Sequence, residues 1–132
     1  MKTTFDINDV LFKIVNVATV KATIDGRVYR DKKPLNSELR DIVITPLSNY
    51  NGNEIVNDAT FFVNCYCKNF ANGTPDIAKL RATTDAVIAV LEAYNNTSNY
   101  YVFDIVNQIL LNDEDQKSMS YASLRLKCYV EK

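Results

Sequence analysis

The stretch "ATFFVNCYCK", residues 59–68, constrains this chain more than any other. Side chains on a strand alternate between its two faces. Ala59, Phe61, Val63, Cys65 and Cys67 therefore share one face, and Thr60, Phe62, Asn64, Tyr66 and Lys68 share the other. The first set belongs in a core, so residues 56–68 are predicted as a strand with one apolar side. The C-terminal run repeats the pattern, with Ala122, Leu124, Leu126, Cys128 and Val130 on one face.

The two thiols at C-x-C spacing invite a metal or redox reading. A zinc site needs about four ligands. The chain has 3 cysteines, at 65, 67 and 128, and 0 histidines. Redox pairs are normally C-x-x-C. Free cysteine packs as a small hydrophobe, so all three are expected to be structural. The missing histidine also removes the commonest general base and the Ser-His-Asp and Cys-His classes.

The flanking segments build outward from these strands. Ile7, Val10, Leu11, Ile14, Val15 and Ala18 recur at helical spacing, with Asp6 as the expected N-cap. "TVKATIDG" is expected to be an irregular turn and "GRVYR" a short strand. Residues 31–38 form a polar loop around Pro34. "DIVITPL" reads as a strand whose Pro46 implies an edge position or a bulge. Asn51-Gly52 is a hairpin turn signal leading into 56–68. In "NGTPDIAKL", Thr74 is the expected cap, with Pro75 first in the helix and Asp76 in its first turn. Ile77, Leu80, Thr84, Val87, Ile88 and Leu91 form the predicted stripe, ended by Asn95 and Asn96. Residues 100–111 are expected to pair with 117–130 across the acidic turn "NDEDQK".

The order α-β-β-β-α-β-β, without repeats or linker, predicts one domain over residues 1–132. Its class is α+β: an antiparallel sheet of four to five strands with two helices packed on one face. The length of 132 residues suits one core.

A net charge of −1 gives no global pull toward nucleic acid or membrane. The N-terminus lacks a secretory pattern, because Asp6 and Asp9 interrupt its apolar region. A reducing, intracellular location is expected. No catalytic constellation, phosphate loop, cofactor site or small-molecule site is evident, and an enzyme is not expected.

Two surface features remain. Arg27, Arg30, Lys32 and Lys33, beside Tyr29, form a basic cluster. It reads either as a solvated strand end balanced by Asp25 and Asp31 or as a small nucleic-acid- or protein-binding module. Specific nucleic-acid binding is not expected. Phe62, Tyr66, Tyr121 and Tyr129 lie opposite their strands' core sets, as do Tyr100, Val102, Val106 and Leu110. Within 100–111 both faces are apolar. A sheet with apolar groups on both sides needs a second cover. These are either scattered surface residues or a subunit interface, and Phe62, Tyr66, Tyr121 and Tyr129 are the interface candidates.

The layout resembles the bacteriophage tail-completion or tail-terminator proteins, a family of small head-to-tail joining proteins. The shared elements are an N-terminal helix, Gly26-Arg27-Val28-Tyr29 followed by Pro34, and the strand Ile42-Val43-Ile44. A strand running from Val63 through Tyr66 and a helix after a short polar loop complete the pattern. The closing hairpin is longer, and "RDKKPLNSELRD" more charged, than the family pattern. The resemblance implies a subunit of a homo-oligomeric ring, commonly a hexamer, between the phage connector and the tail tube. Such a protein works by binding geometry, in the bacterial cytoplasm during assembly and then in the neck or tail of the virion.

Overall fold

Thr3 starts the first helix by a reciprocal cap. Its hydroxyl accepts from the Asp6 amide at 3.2 Å, and the Asp6 carboxylate accepts from the Thr3 amide at 3.0 Å. This capping box, in a computed structural model describing residues 3–50, 56–97 and 100–131, begins helix α1, Thr4–Val15. Asp6 is thus the third helical residue and not the cap. Thr3 takes that place because Asp6 can reach back to its free amide. The expected irregular turn contains a short helix, α2, Ala18–Lys21.

Five strands follow: β1, Val28–Arg30; β2, Ile42–Tyr50; β3, Val56–Lys68; and, after helix α3, Ile77–Thr97, β4, Tyr101–Asn112, and β5, Met119–Glu131. Their spatial order is β1-β2-β3-β5-β4. All neighbours are antiparallel except β1 and β2, which run parallel from Val28↔Ile42 to Arg30↔Ile44. The sheet is therefore mixed and not wholly antiparallel. A parallel pair needs a long crossover, which residues 31–41 supply without a helix. Asp31 and Asn36 turn this loop at φ 73° and 62°, a region that Asp and Asn tolerate. Asp41 holds its end. The buried carboxylate accepts from the Arg27 amide at 3.0 Å and from the Ser37 hydroxyl at 2.6 Å.

Pro46 sits at a register shift in β2, beyond the last residue that β1 pairs. Both expectations for it hold, since its missing N–H faces no strand there. The Asn51-Gly52 turn lies outside the described residues, but the β2–β3 pairing it was expected to join is present.

Helix α3 begins two residues later than predicted. The Thr74 hydroxyl donates to the Asn72 side chain at 2.7 Å, while the Asp76 carboxylate accepts from the Lys79 amide at 3.2 Å. Asp76 is the cap, because an ionised carboxylate is the stronger acceptor for the helix's free amides. Pro75 precedes the helix.

The two long helices, α1 and α3, pack on one face of the sheet. Ile7, Leu11 and Val15 of α1 and Leu80, Val87 and Leu91 of α3 form one core with Ile42, Ile44, Phe61, Val63, Cys65, Leu124 and Leu126. Burying each such side chain contributes roughly 1.5–3 kcal/mol. The predicted stripe on α3 errs at Ile77, which is exposed, while Thr83 is buried. Thr83 meets its hydrogen-bonding need with the Thr23 and Lys79 carbonyls.

Candidate interaction surface

The cysteines fall where alternation put them. Cys65, Cys67 and Cys128 are free and buried on the helix side. Burial pushes the Cys65 and Cys128 thiols up to about 12, leaving them protonated and unreactive at neutral pH. Among the described residues, no three His, Cys, Asp or Glu side chains cluster to hold a metal. Within these same residues, no helix is long and apolar enough to cross a membrane.

The sheet face away from the helices carries the aromatic candidates. Cross-strand register brings Tyr66 opposite Tyr121, and their rings stack at 4.9 Å. Phe62 stands opposite Arg125 and is half-buried. Tyr129, opposite Asp58 and Val102, is exposed. The four do not form one open patch, because the chain covers part of this face itself. Residues 31–36 line a cavity of about 360 Å³ with Val43, Thr45, Asn64, Tyr66 and Gln116. Lys33 lies 5.1 Å from the Tyr66 ring centre and donates to the Ser37 carbonyl at 3.0 Å and to Gln116 at 3.3 Å. Glu38 ties the same loop to Lys68 at 3.3 Å and to Ser118 at 3.0 Å. Tyr66 is thus partly roofed by its own chain, whereas Phe62 and Tyr129 lie outside that cavity. Burial first, and then the nearby carboxylates of Asp113 and Asp115, raise the Tyr66 hydroxyl to about 12.

The basic cluster does not converge. Arg30 turns toward the helices, where it pairs with Asp9 and lies 4.2 Å from the Phe12 ring centre. Lys33 turns to the opposite face of the sheet. Arg27 and Lys32 are exposed. Four cations split between two faces make no phosphate-tracking surface.

Strand β4 shows what sequence periodicity missed. Its register shifts between Ile105 and Asn107, so Val106 is a bulge. Before the bulge, Phe103 and Ile105 face the helices. After it, Gln108 and Leu110 do, and Asn107, Ile109 and Leu111 face away. Leu110 is therefore on the helix side, contrary to the expected assignment, and Val106 belongs to neither series. Val106, Ile109, Leu110 and Leu111 are all exposed: Ile109 and Leu111 on the face without helices, and Leu110 in an open groove beside α3. The apolar character of both faces of 100–111 was the available signal.

No family model matches the chain, and no curated protein matches it in sequence. Among solved structures, it is similar to a chain from the virion of a native gene transfer agent particle. The two superpose with a TM-score of 0.66 over 96% of this chain and 95% of that chain, at 12% identity. The shared property is the fold, which extends over nearly the full length of both.

Proposed function

We propose that this protein is a structural subunit of a phage-type virion, acting at the head–tail junction as a tail-completion or terminator protein. It assembles into a closed ring, a hexamer in the form the family resemblance implies, and works by binding and not by catalysis. Its partners are further copies of itself, the phage connector and the tail-tube protein. It meets them in the bacterial cytoplasm and remains in the neck or tail.

The observation that carries this reading is the full-length fold likeness to a chain taken from an assembled virion. Two further features support it. The cysteines are inert, and apolar groups remain exposed both on the outer sheet face and along β4. Exposed apolar surface of this kind marks an assembly site. Head-to-tail contacts between identical subunits close into rings.

Co-expression with a connector and a tail-tube protein tests the proposal. Co-purification, with rings visible in negative-stain micrographs, is expected. Separate elution of all three proteins, with no ring in any fraction, contradicts it.

A further inference from the structure

We propose that residues 32–36 are a strap that lifts from the outer sheet face while the rest of the fold stays intact, and that Lys33 is its latch. Closed, the strap covers part of Tyr66. Lifted, it bares that ring.

The strap lies in the crossover between β1 and β2, and both of its ends are moored. The Asp31 amide donates to the Ile44 carbonyl at 2.7 Å, and the Asp31 carbonyl accepts from the Thr45 hydroxyl at 3.4 Å. At the other end the Ser37 hydroxyl donates to Asp41 at 2.6 Å, and Glu38 holds Lys68 and Ser118. Between these moorings the backbone of 32–36 bonds only locally among the described residues, Lys32 with Arg30 and Pro34 with Ser37.

Packing adds little. Lys32, Pro34, Leu35 and Asn36 are exposed, Leu35 at 94%, so closure buries little apolar surface. Beneath the strap a cavity of about 360 Å³ separates it from Val43, Thr45, Asn64 and Tyr66. A segment with few buried apolar contacts opens at far lower cost than the whole domain.

Lys33 is the exception. Its ammonium stands 5.1 Å from the Tyr66 ring centre and donates to Gln116 at 3.3 Å and to the Ser37 carbonyl at 3.0 Å. Asp113 and Asp115 line the same cavity and add negative charge near it. Gln116 lies in the turn between β4 and β5. Among the described residues, Lys33 is thus the one member of 32–36 whose side chain hydrogen-bonds to a distant part of the chain.

Lifting has a defined consequence. Tyr66, Tyr121 and Leu111 are cross-strand neighbours on the outer face. With the strap raised they make one apolar row across β3, β5 and β4. The strap therefore sets how much apolar surface this face presents, whatever the protein assembles with.

The test is thiol labelling of the full chain in native buffer. Val43 lines the cavity beneath the strap and is 4% exposed, so Val43→Cys places a thiol under the cover. Cys65 and Cys128, buried on the helix side, report global unfolding in the same molecule. Labelling at position 43 by a maleimide, assigned by peptide mass spectrometry, is expected to be at least about tenfold faster than at Cys65 and Cys128. Its rate should stay flat in low urea, where theirs rises. Adding Lys33→Met should speed labelling at 43 about tenfold and leave Cys65 and Cys128 unchanged. Adding Lys32→Met, which removes the same charge from an exposed neighbour, should leave all three rates unchanged. Circular dichroism verifies that each variant is folded. Labelling at 43 in step with Cys65 and Cys128, or as fast as in the urea-unfolded chain, overturns the strap. Equal effects of Lys33→Met and Lys32→Met overturn the latch.

Discussion

Asn95 grips the backbone of Phe103 with both ends of its amide. Nδ2 donates to the Phe103 carbonyl at 2.8 Å, and Oδ1 accepts from the Phe103 amide at 2.9 Å. One side chain near the end of α3 thereby fixes where β4 starts and how Phe103 enters the core. Asn95→Ala removes both bonds and leaves two backbone groups to find other partners. It should lower stability by about 2 kcal/mol, read as a shift of the urea midpoint at constant slope. Asn95→Asp should lower it as well, because a carboxylate cannot donate to the carbonyl.

Gly26 is required by close approach. A Cβ there would collide with the Asp41 carboxylate and lie 2.8 Å from the Arg40 carbonyl oxygen. Gly26→Ala must therefore displace the carboxylate that holds the Arg27 amide and the Ser37 hydroxyl. A loss of about 3 kcal/mol is expected in denaturant titration. Asp41→Ala should show a similar loss, and the double variant less than the sum, because both changes act on one set of bonds.

Alkaline pH should weaken the fold. The Cys65 and Cys128 thiols rise from the ordinary 9.0 to about 12, because burial disfavours the thiolate. The folded chain thus keeps protons that the unfolded chain releases. Their contribution to stability is complete below about pH 9 and is lost as the pH rises toward 12. Urea midpoints at stepped pH should fall across that window. The fall should be shallower in a Cys65→Ala, Cys128→Ala variant. A steeper or unchanged fall in that variant would contradict the assignment.

The basic segment should not bind nucleic acid. Arg30 is engaged by Asp9 and Phe12, and Lys33 by Tyr66 and the loop carbonyl of Ser37. Fluorescence anisotropy with duplex DNA at low salt should show no salt-dependent binding. Arg30→Ala should cost no more than about 1 kcal/mol, since its ion pair is half-exposed.

Alternation along 59–68 and 122–128 was enough to assign the core face of both central strands and the burial of all three cysteines. Pro46 marked its own bulge. Other features depended on competition between neighbours. Thr3 and Asp76 outcompeted Asp6 and Thr74 as caps because of which acceptors could reach free amides. The parallel pairing of β1 was hidden because its crossover is a loop and carries no helical period. The bulge at Val106 was hidden because apolar residues on both sides of β4 look alike in either register. The roof over Tyr66 depends on the long-range contacts of Lys33 and Glu38, which no local pattern encodes. Hence Tyr129 is the exposed one of the four aromatic candidates, and Phe62, Tyr66 and Tyr121 are half-buried. Val106, Ile109, Leu110 and Leu111 add a second exposed apolar run, along β4.

Native mass spectrometry of the purified protein, alone and with the connector and tail-tube proteins proposed as its partners, tests the assembly claim most directly. A closed oligomer is predicted, with a mass that is an integral multiple of 15.0 kDa and a six-fold species in the complex. A single 15.0 kDa species at every concentration and with every partner would contradict it.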